Sequence, residues 1–593
     1  MRLLLILPFQ VFFLSAQSHL PALSPWKGKS ENLLENKDSK FATPFEKSNG
    51  LQSATSAELE VWFDVLAANH PQVSKKTIGT TAEGQQLHAY IFSESKSMRD
   101  SFTRSDLPLV LFQGGIHSGE IDGLDAGMLL YRDLCIGKLA AIKGKADLVF
   151  IPALNKDGLL RASPNNRINQ RGPENQGWRS NSLNQNLNRD YAKLDSKEVR
   201  AVVALLARLK PELYIDIHVT DGADYQYDIT YGSVGKNGYS PAISNWLSTY
   251  LKTSVDKALK NQGHIPGPLI FLKDGENAKK GNNSYVYEPR FSNGYGDARH
   301  TPSILVENHS LKPFRQRVLG TRVLLESMLL EVIASKKELK AAILKDENQR
   351  LGELTLSWEF PKETPDSMLF LGIQTLEKMS LTAGKNCITW NGLPKNEIIP
   401  VWEQNVPILK VTKPLFYVVP VNRAEIIERL KIHGIEMDIL QNDSLIEVEK
   451  YELPDMKISG TAPFQSRMRY SATPLGFKTK VLFLKGSALI NTQQSLGDLA
   501  ALLLEPASTD SYFQWGFFAD VMERTEYFEE YAMAPLADEM MKNRPDLKAQ
   551  FDEKCKLDAD FAKNSDARLR WWYDRSEWAD EKWLVYPVGR ITH

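Results

Sequence analysis

His117 and Glu120 stand three residues apart in Gly114-Gly115-Ile116-His117-Ser118-Gly119-Glu120. An apolar run, Leu107 to Phe112, leads into this stretch and a helix-like segment, Gly123 to Leu134, follows it. A strand feeding such a turn sets an imidazole and a carboxylate together at the end of a sheet, and those are two ligands of a zinc site. His218 is the third candidate, because it closes the apolar run Leu213-Tyr214-Ile215-Asp216-Ile217-His218, and α/β sheets place their ligands at such strand ends. Two His and one Glu leave a fourth position for water, the arrangement of a catalytic zinc. One zinc ion per chain is therefore expected.

Zinc brings the pKa of water to about 7, but a carboxylate must still take the proton and pass it to a leaving group. Glu307 is the candidate base, since it ends the apolar run Ile304-Leu305-Val306 and an acid there is costly unless it faces a cleft. Two loop-like stretches rich in Arg and Asn lie between these groups, Asn166 to Arg171 and Asn186 to Arg189. Arg is the residue that grips a carboxylate through two parallel hydrogen bonds. Such loops either select a free C-terminus or are ordinary solvated loops.

A second His-x-x-Glu, His433-Gly434-Ile435-Glu436, shows how little the spacing says alone. It follows the helix-like Arg423 to Lys431, and Gly434 fits a helix C-terminal cap. It is read as a turn without metal.

The elements that must position the first set follow from hydrophobic periodicity. Thr55-Ser56-Ala57-Glu58 reads as a capping box ahead of a helix with Leu59, Trp62, Phe63 and Leu66 on one face. Strands are expected at Leu87 to Phe92, Leu107 to Phe112, Asp147 to Ala153, Leu213 to Val219 and Ser303 to Val306. A helix through Val199, Val202, Val203, Leu206 and Leu209, capped by Asp195 with Glu198, precedes the fourth of these. Strands alternating with helices predict an α/β domain with a largely parallel sheet over residues 55–335. Alternating runs such as Leu354, Leu356, Trp358 and Phe360 then predict a β-sandwich-like domain over 340–485. Residues 486–593 read as helical, their aromatic side chains forming a core.

Composition sets the context. The 593 residues are 42% apolar and 24% charged, with 72 basic and 73 acidic residues, so nothing points to nucleic acid or an anionic membrane as partner. Arg2, the run Leu3 to Leu14 and the small residues before Gln17 read as a signal peptide over 1–16, followed by a loose leader over 17–54. The apolar run is short for a membrane anchor, which needs about 20 residues, so no stable membrane insertion is expected after cleavage. Three distant cysteines exclude a disulfide scaffold. The chain is expected to be exported, secreted or in a bacterial periplasm.

These separated motifs resemble the zinc carboxypeptidases of the carboxypeptidase A type. Ile78 to Gln85, Gly115 to Glu120 and Asn155-Lys156-Asp157-Gly158 match in order, as do Arg167-Ile168-Asn169, Asn188-Arg189, His218 and Glu307. The resemblance covers residues 58–335 and implies an α/β/α sandwich with a mixed sheet, one zinc held by His117, Glu120 and His218, and peptide substrates with a free C-terminus. It also implies that Arg167 polarises the scissile carbonyl, that Asn188 and Arg189 bind the terminal carboxylate, and that Glu307 is the general base. A substrate-contacting tyrosine is implied too, with Tyr285, Tyr287 and Tyr295 as candidates. The C-terminal half is similar to that of an exported bacterial subgroup. Gly119 departs from the family, where many members carry Arg. Two other readings stay open: a zinc amide hydrolase of this fold acting on cell-wall peptides or N-acyl amino acids, and a non-catalytic binding protein.

Overall fold

A computed structural model describes residues 19–275, 277–350, 352–363 and 365–592; the expected signal peptide, 1–16, lies outside them. From residue 19 onward the expected loose leader is instead part of the fold. Phe45 is fully buried and meets Phe314 edge-on at 5.6 Å, which by area alone stabilises by about 1.5–3 kcal/mol. Thr43 closes a capping box with Glu46 on the short helix Pro44–Lys47. The Glu46 carboxylate pairs with buried Arg132, and loss of either partner would strand a buried charge at about 3–5 kcal/mol. A few buried anchors thus order a segment whose composition is polar.

The N-terminal half carries an eight-stranded sheet. Its strands are β1 (Val73–Thr80), β2 (Gln86–Phe92), β3 (Leu109–Gln113), β4 (Asp147–Ile151), β5 (Leu213–Val219), β6 (Ile229–Gly232), β7 (Pro266–Gly267) and β9 (Ser303–Asn308). A short strand, β8 (Asn282–Ser284), lies outside it. The order is β1-β2-β4-β3-β5-β9-β6-β7. Parallel pairs join β4, β3, β5 and β9 at the centre, while β1, β2 and β6 pair antiparallel. Every residue of β3, β4 and β5 is buried, which is why these strands read as unbroken apolar runs.

Helices Asp122–Cys135 and Phe314–Ala334 cover one face of the sheet. Helix Lys197–Leu209 covers the other. Its cap is Ser196, whose side chain accepts the Val199 N–H; Asp195, expected in that role, instead takes a two-pronged bond from Arg467 at 2.7 Å. The same buried cluster takes in Leu356, Ile426, Leu502 and Tyr512, so the C-terminal half shares this layer.

The later residues are rich in strand. β10 (Glu353–Glu359) pairs with β13 (Val406–Thr412), and β11 (Asp366–Ser380) forms a long hairpin with β12 (Lys385–Glu403). A six-stranded sheet follows, to which Ala488–Asn491 and Gly589–Ile591 contribute across the boundary expected at 485. Helices between Glu530 and Tyr573 close on a core of Phe551, Phe561, Trp571 and Trp572. The whole is a mixed α/β sheet domain with a further β-rich region and C-terminal helices.

Candidate active site

The turn after β3 is laced to the segment after β4. Gly114 and Gly115 accept backbone bonds from Leu154 and Asn155 at 3.1 and 2.9 Å. Gly115 holds φ +60°, and a Cβ there would press on Ile121 and Ala153, so this position requires glycine. The Glu120 N–H then bonds back to the His117 carbonyl at 2.8 Å, curling the carboxylate toward its own histidine. β5, one strand away, delivers His218.

The result is a compact set. Ligand atoms of His117, Glu120 and His218, all buried, lie within 4.8 Å of one another. Glu120 Oε2 is 3.1 Å from His117 Nδ1 and 3.0 Å from His218 Nδ1. Each imidazole is oriented from its far side: His117 Nε2 donates to Asn186 Oδ1 at 2.9 Å, and His218 Nε2 lies 2.7 Å from Asp216 Oδ2. Gln113 and Ser292 in turn hold Asp216, at 2.9 and 2.5 Å. Both Nδ1 atoms converge with a carboxylate while both Nε2 atoms are bonded behind, which is the donor set and outer shell of a zinc site. The residues present fit the metal. Burial opposes ionisation of Glu120, but His117 and Arg167 hold its carboxyl well below the usual range.

Glu307 sits opposite His218 in the β5–β9 ladder. No hydrogen bond from the described residues reaches its carboxylate, which is partly buried. Burial pushes its pKa up to about 8, with His218 opposing and the charge of Glu120 adding. The same end of the sheet carries Asn188 and Arg189. Asn188 Oδ1 accepts the Ser292 N–H at 2.9 Å, and the Arg189 guanidinium lies 4.4 Å over the Phe291 ring. Burial, with Arg179 and Arg290 nearby, lowers Arg189 to about 10.

The arginines are arranged differently from the expectation. Arg167 is buried and committed: it donates to Glu120 Oε1 at 2.8 Å, Gln170 Oε1 at 2.8 Å and Asp221 at 3.3 Å. Its side chain crosses Gly119, where any Cβ would collide with it. Gly119 therefore makes room for an arginine from another loop. Arg179, which the sequence reading passed over, also donates to Glu120 Oε1 at 2.7 Å. Its side chain is 42% exposed, and among the described residues its guanidinium bonds nothing else. Asp216 had no expected role, and Asn186, expected only within the clamp loop, instead orients His117. Each lies two residues before a named candidate, and on β5 that spacing returns to the same face.

Of the three tyrosines, Tyr287 has its phenol raised by burial, with the charge of Glu307 adding to the effect. The Tyr285 hydroxyl accepts from Asn283 Nδ2 at 3.0 Å. Tyr295 is fully buried and hydrogen-bonded to His433 at 2.9 Å.

Residues 59–263 match the profile described as zinc carboxypeptidase. Carboxypeptidase 2 of Trichophyton rubrum is 21% identical over 513 residues, spanning 80% of this chain and 87% of that protein. Carboxypeptidase 2 of Trichophyton equinum is 22% identical over 469 residues, spanning 73% and 78%. Among solved structures, carboxypeptidase A from Helicoverpa armigera superposes with a TM-score of 0.36 at 17% identity, over 49% of this chain and 74% of that one. A metallo-carboxypeptidase from Burkholderia cenocepacia gives 0.36 at 17%, over 47% and 69%.

Proposed function

We propose, from the match of residues 59–263 to the zinc carboxypeptidase profile and from the site's geometry, that the chain is a metallocarboxypeptidase cutting the last peptide bond of chains with a free C-terminus. One observation carries the reading: three convergent candidate ligands, a carboxylate that no hydrogen bond from the described residues reaches, and a half-buried arginine lie at one end of the central sheet.

His117, Glu120 and His218 would hold zinc, which when bound acidifies water and polarises a carbonyl. Glu307 takes the proton from water and returns it to the leaving nitrogen; a carboxyl raised by burial suits both transfers. Arg179, with most of its donors free, steadies the developing oxyanion. Arg167 instead braces Glu120, so the role the resemblance gave to Arg167 passes to Arg179. Asn188 and Arg189 bind the terminal carboxylate, and the Tyr287 hydroxyl caps the substrate beside Glu307. Export, to a periplasm or the medium, remains the proposal for location; among the described residues no helix is long and apolar enough to cross a membrane.

The test uses matched peptides with free and amidated C-termini. The free acid should be cut and the amide cut at least a hundredfold more slowly. Equal rates would remove the carboxylate clamp and favour an amide hydrolase of the same fold.

A further inference from the structure

Between β8 and the helix Ser292–Ala298, residues Tyr285 to Phe291 run without helix or strand. A segment with no ladder of its own must find partners for its backbone groups elsewhere. Two come from the C-terminal half of the chain. Gln404 Oε1 accepts the Val286 N–H at 3.0 Å, and Asp510 Oδ2 accepts the Arg290 N–H at 2.7 Å. The Arg290 carbonyl in turn accepts the Tyr191 N–H at 3.3 Å. Arg290 therefore lies between Asp510 and the chain that carries Arg189.

Asp510 is itself held in place. It follows the buried helix Gly497–Leu504, in a turn where the Ser511 N–H bonds the Ser508 carbonyl at 3.0 Å and the Tyr512 N–H bonds the Leu503 carbonyl at 2.9 Å. Its side chain is fully buried, and its second oxygen faces Arg290 Nε at 3.5 Å. Arg469, on the strand Arg467–Ser471, approaches the same oxygen at 3.9 Å. Burying a carboxylate is costly unless charges and hydrogen bonds meet it. Here two guanidinium groups and a backbone N–H do so.

The residues after Arg290 touch both groups of the carboxylate clamp. The Phe291 ring lies 4.4 Å under the Arg189 guanidinium. The Ser292 N–H bonds Asn188 Oδ1 at 2.9 Å, and its hydroxyl bonds Asp216 at 2.5 Å. Arg189 donates to the Asn188 carbonyl at 2.7 Å, and among the described residues no other hydrogen bond fixes its guanidinium. The Phe291 ring is thus what sets its plane.

We propose that Asp510 is a positioning residue for the carboxylate clamp: by holding the Arg290 N–H it keeps Phe291 under Arg189 and Ser292 against Asn188. The C-terminal half is on this account a support of the substrate site. The inference rests on the carboxypeptidase reading, in which Asn188 and Arg189 grip the free C-terminus.

The full-length zinc enzyme is assayed on one peptide with a free and with an amidated C-terminus. Asp510→Ala should raise KM for the free acid about tenfold, the scale of one lost hydrogen bond. Its kcat should stay within about threefold and its zinc at about one per chain, because Asp216 keeps the bond from Gln113. For the amide, which has no carboxylate to clamp, kcat/KM should change less than about twofold. Asp510→Asn, whose amide oxygen can still accept the Arg290 N–H, should restore KM to within about threefold of the parent. Phe291→Leu leaves the buried charges in place, so it tests the relay even if Asp510→Ala does not fold; it should give the same selective rise in KM. An unmoved KM in folded Asp510→Ala or in Phe291→Leu, equal losses on acid and amide, or an Asp510→Asn as weak as Asp510→Ala would each overturn the role of Asp510 while leaving the carboxypeptidase standing. A parent that cuts acid and amide alike would overturn both.

Discussion

The chain contains the same four-residue spacing twice, at His117–Glu120 and at His433–Glu436, and the two copies do opposite things. In the first, the Glu120 N–H returns to the His117 carbonyl, the two side chains face each other at 3.1 Å, and a second histidine joins them. In the second, Gly434 takes φ +81° and its N–H closes on Lys431, ending the helix. The pair is then split. His433 turns inward, Nδ1 2.9 Å from the Tyr295 hydroxyl and Nε2 3.2 Å from the Ala192 carbonyl, while Glu436 is exposed. Backbone direction after the histidine decides whether the acid becomes its partner, so His433 ties the two halves together while His117 joins a set that could hold a metal.

Variants that break one copy should leave the other's role untouched. The largest effect belongs to His117→Ala, which should lose both zinc and turnover, read as metal per chain and peptide hydrolysis. Glu307→Gln comes next: zinc stays, and kcat/KM falls about 10²–10⁴-fold. The arginines then separate by readout. Arg179→Ala should lower kcat about 10²-fold with metal retained, whereas Arg167→Ala, which unbraces Glu120, should weaken zinc affinity by about 10–100-fold; the reverse pattern would return the oxyanion role to Arg167.

His433→Gln, at the second copy, should keep zinc and turnover but cost about 1–3 kcal/mol in denaturant unfolding, from bonds lost in a buried site. Burial, with Arg299 nearby, lowers His433 to about 3 from its ordinary 6.5. The folded state therefore keeps it neutral while the unfolded chain binds a proton below about pH 6.5. Its contribution is intact above that pH and shrinks as pH falls toward 3, by up to about 1.4 kcal/mol per unit. The Gln variant should show a shallower loss of stability between pH 7 and 5 than the parent; an unchanged slope would place the linkage elsewhere.

The same contrast explains what could be read in advance. β3, β4 and β5 were legible because burial on both faces demands unbroken apolar runs, and their ends gave His117 and His218. β1 was not, since Lys75, Lys76 and Thr77 lie on a strand at the sheet edge, partly open to water. The leader was misread because Phe45 and Glu46 order it through two anchors that leave no periodic trace. Arg179 was hidden because the path of the loop between β4 and β5, not its composition, selects which arginine reaches Glu120. The hairpin's seat on β8 depends on pairing between Asn282 and Val401, far apart in the chain and invisible to local pattern.

The most direct measurement compares the two acids in one experiment, zinc per chain and turnover in Glu120→Gln and in Glu436→Gln. The first should lose both, and the second should keep about one zinc and the parent's activity. Zinc and activity that survive in Glu120→Gln, or vanish in Glu436→Gln, would contradict this.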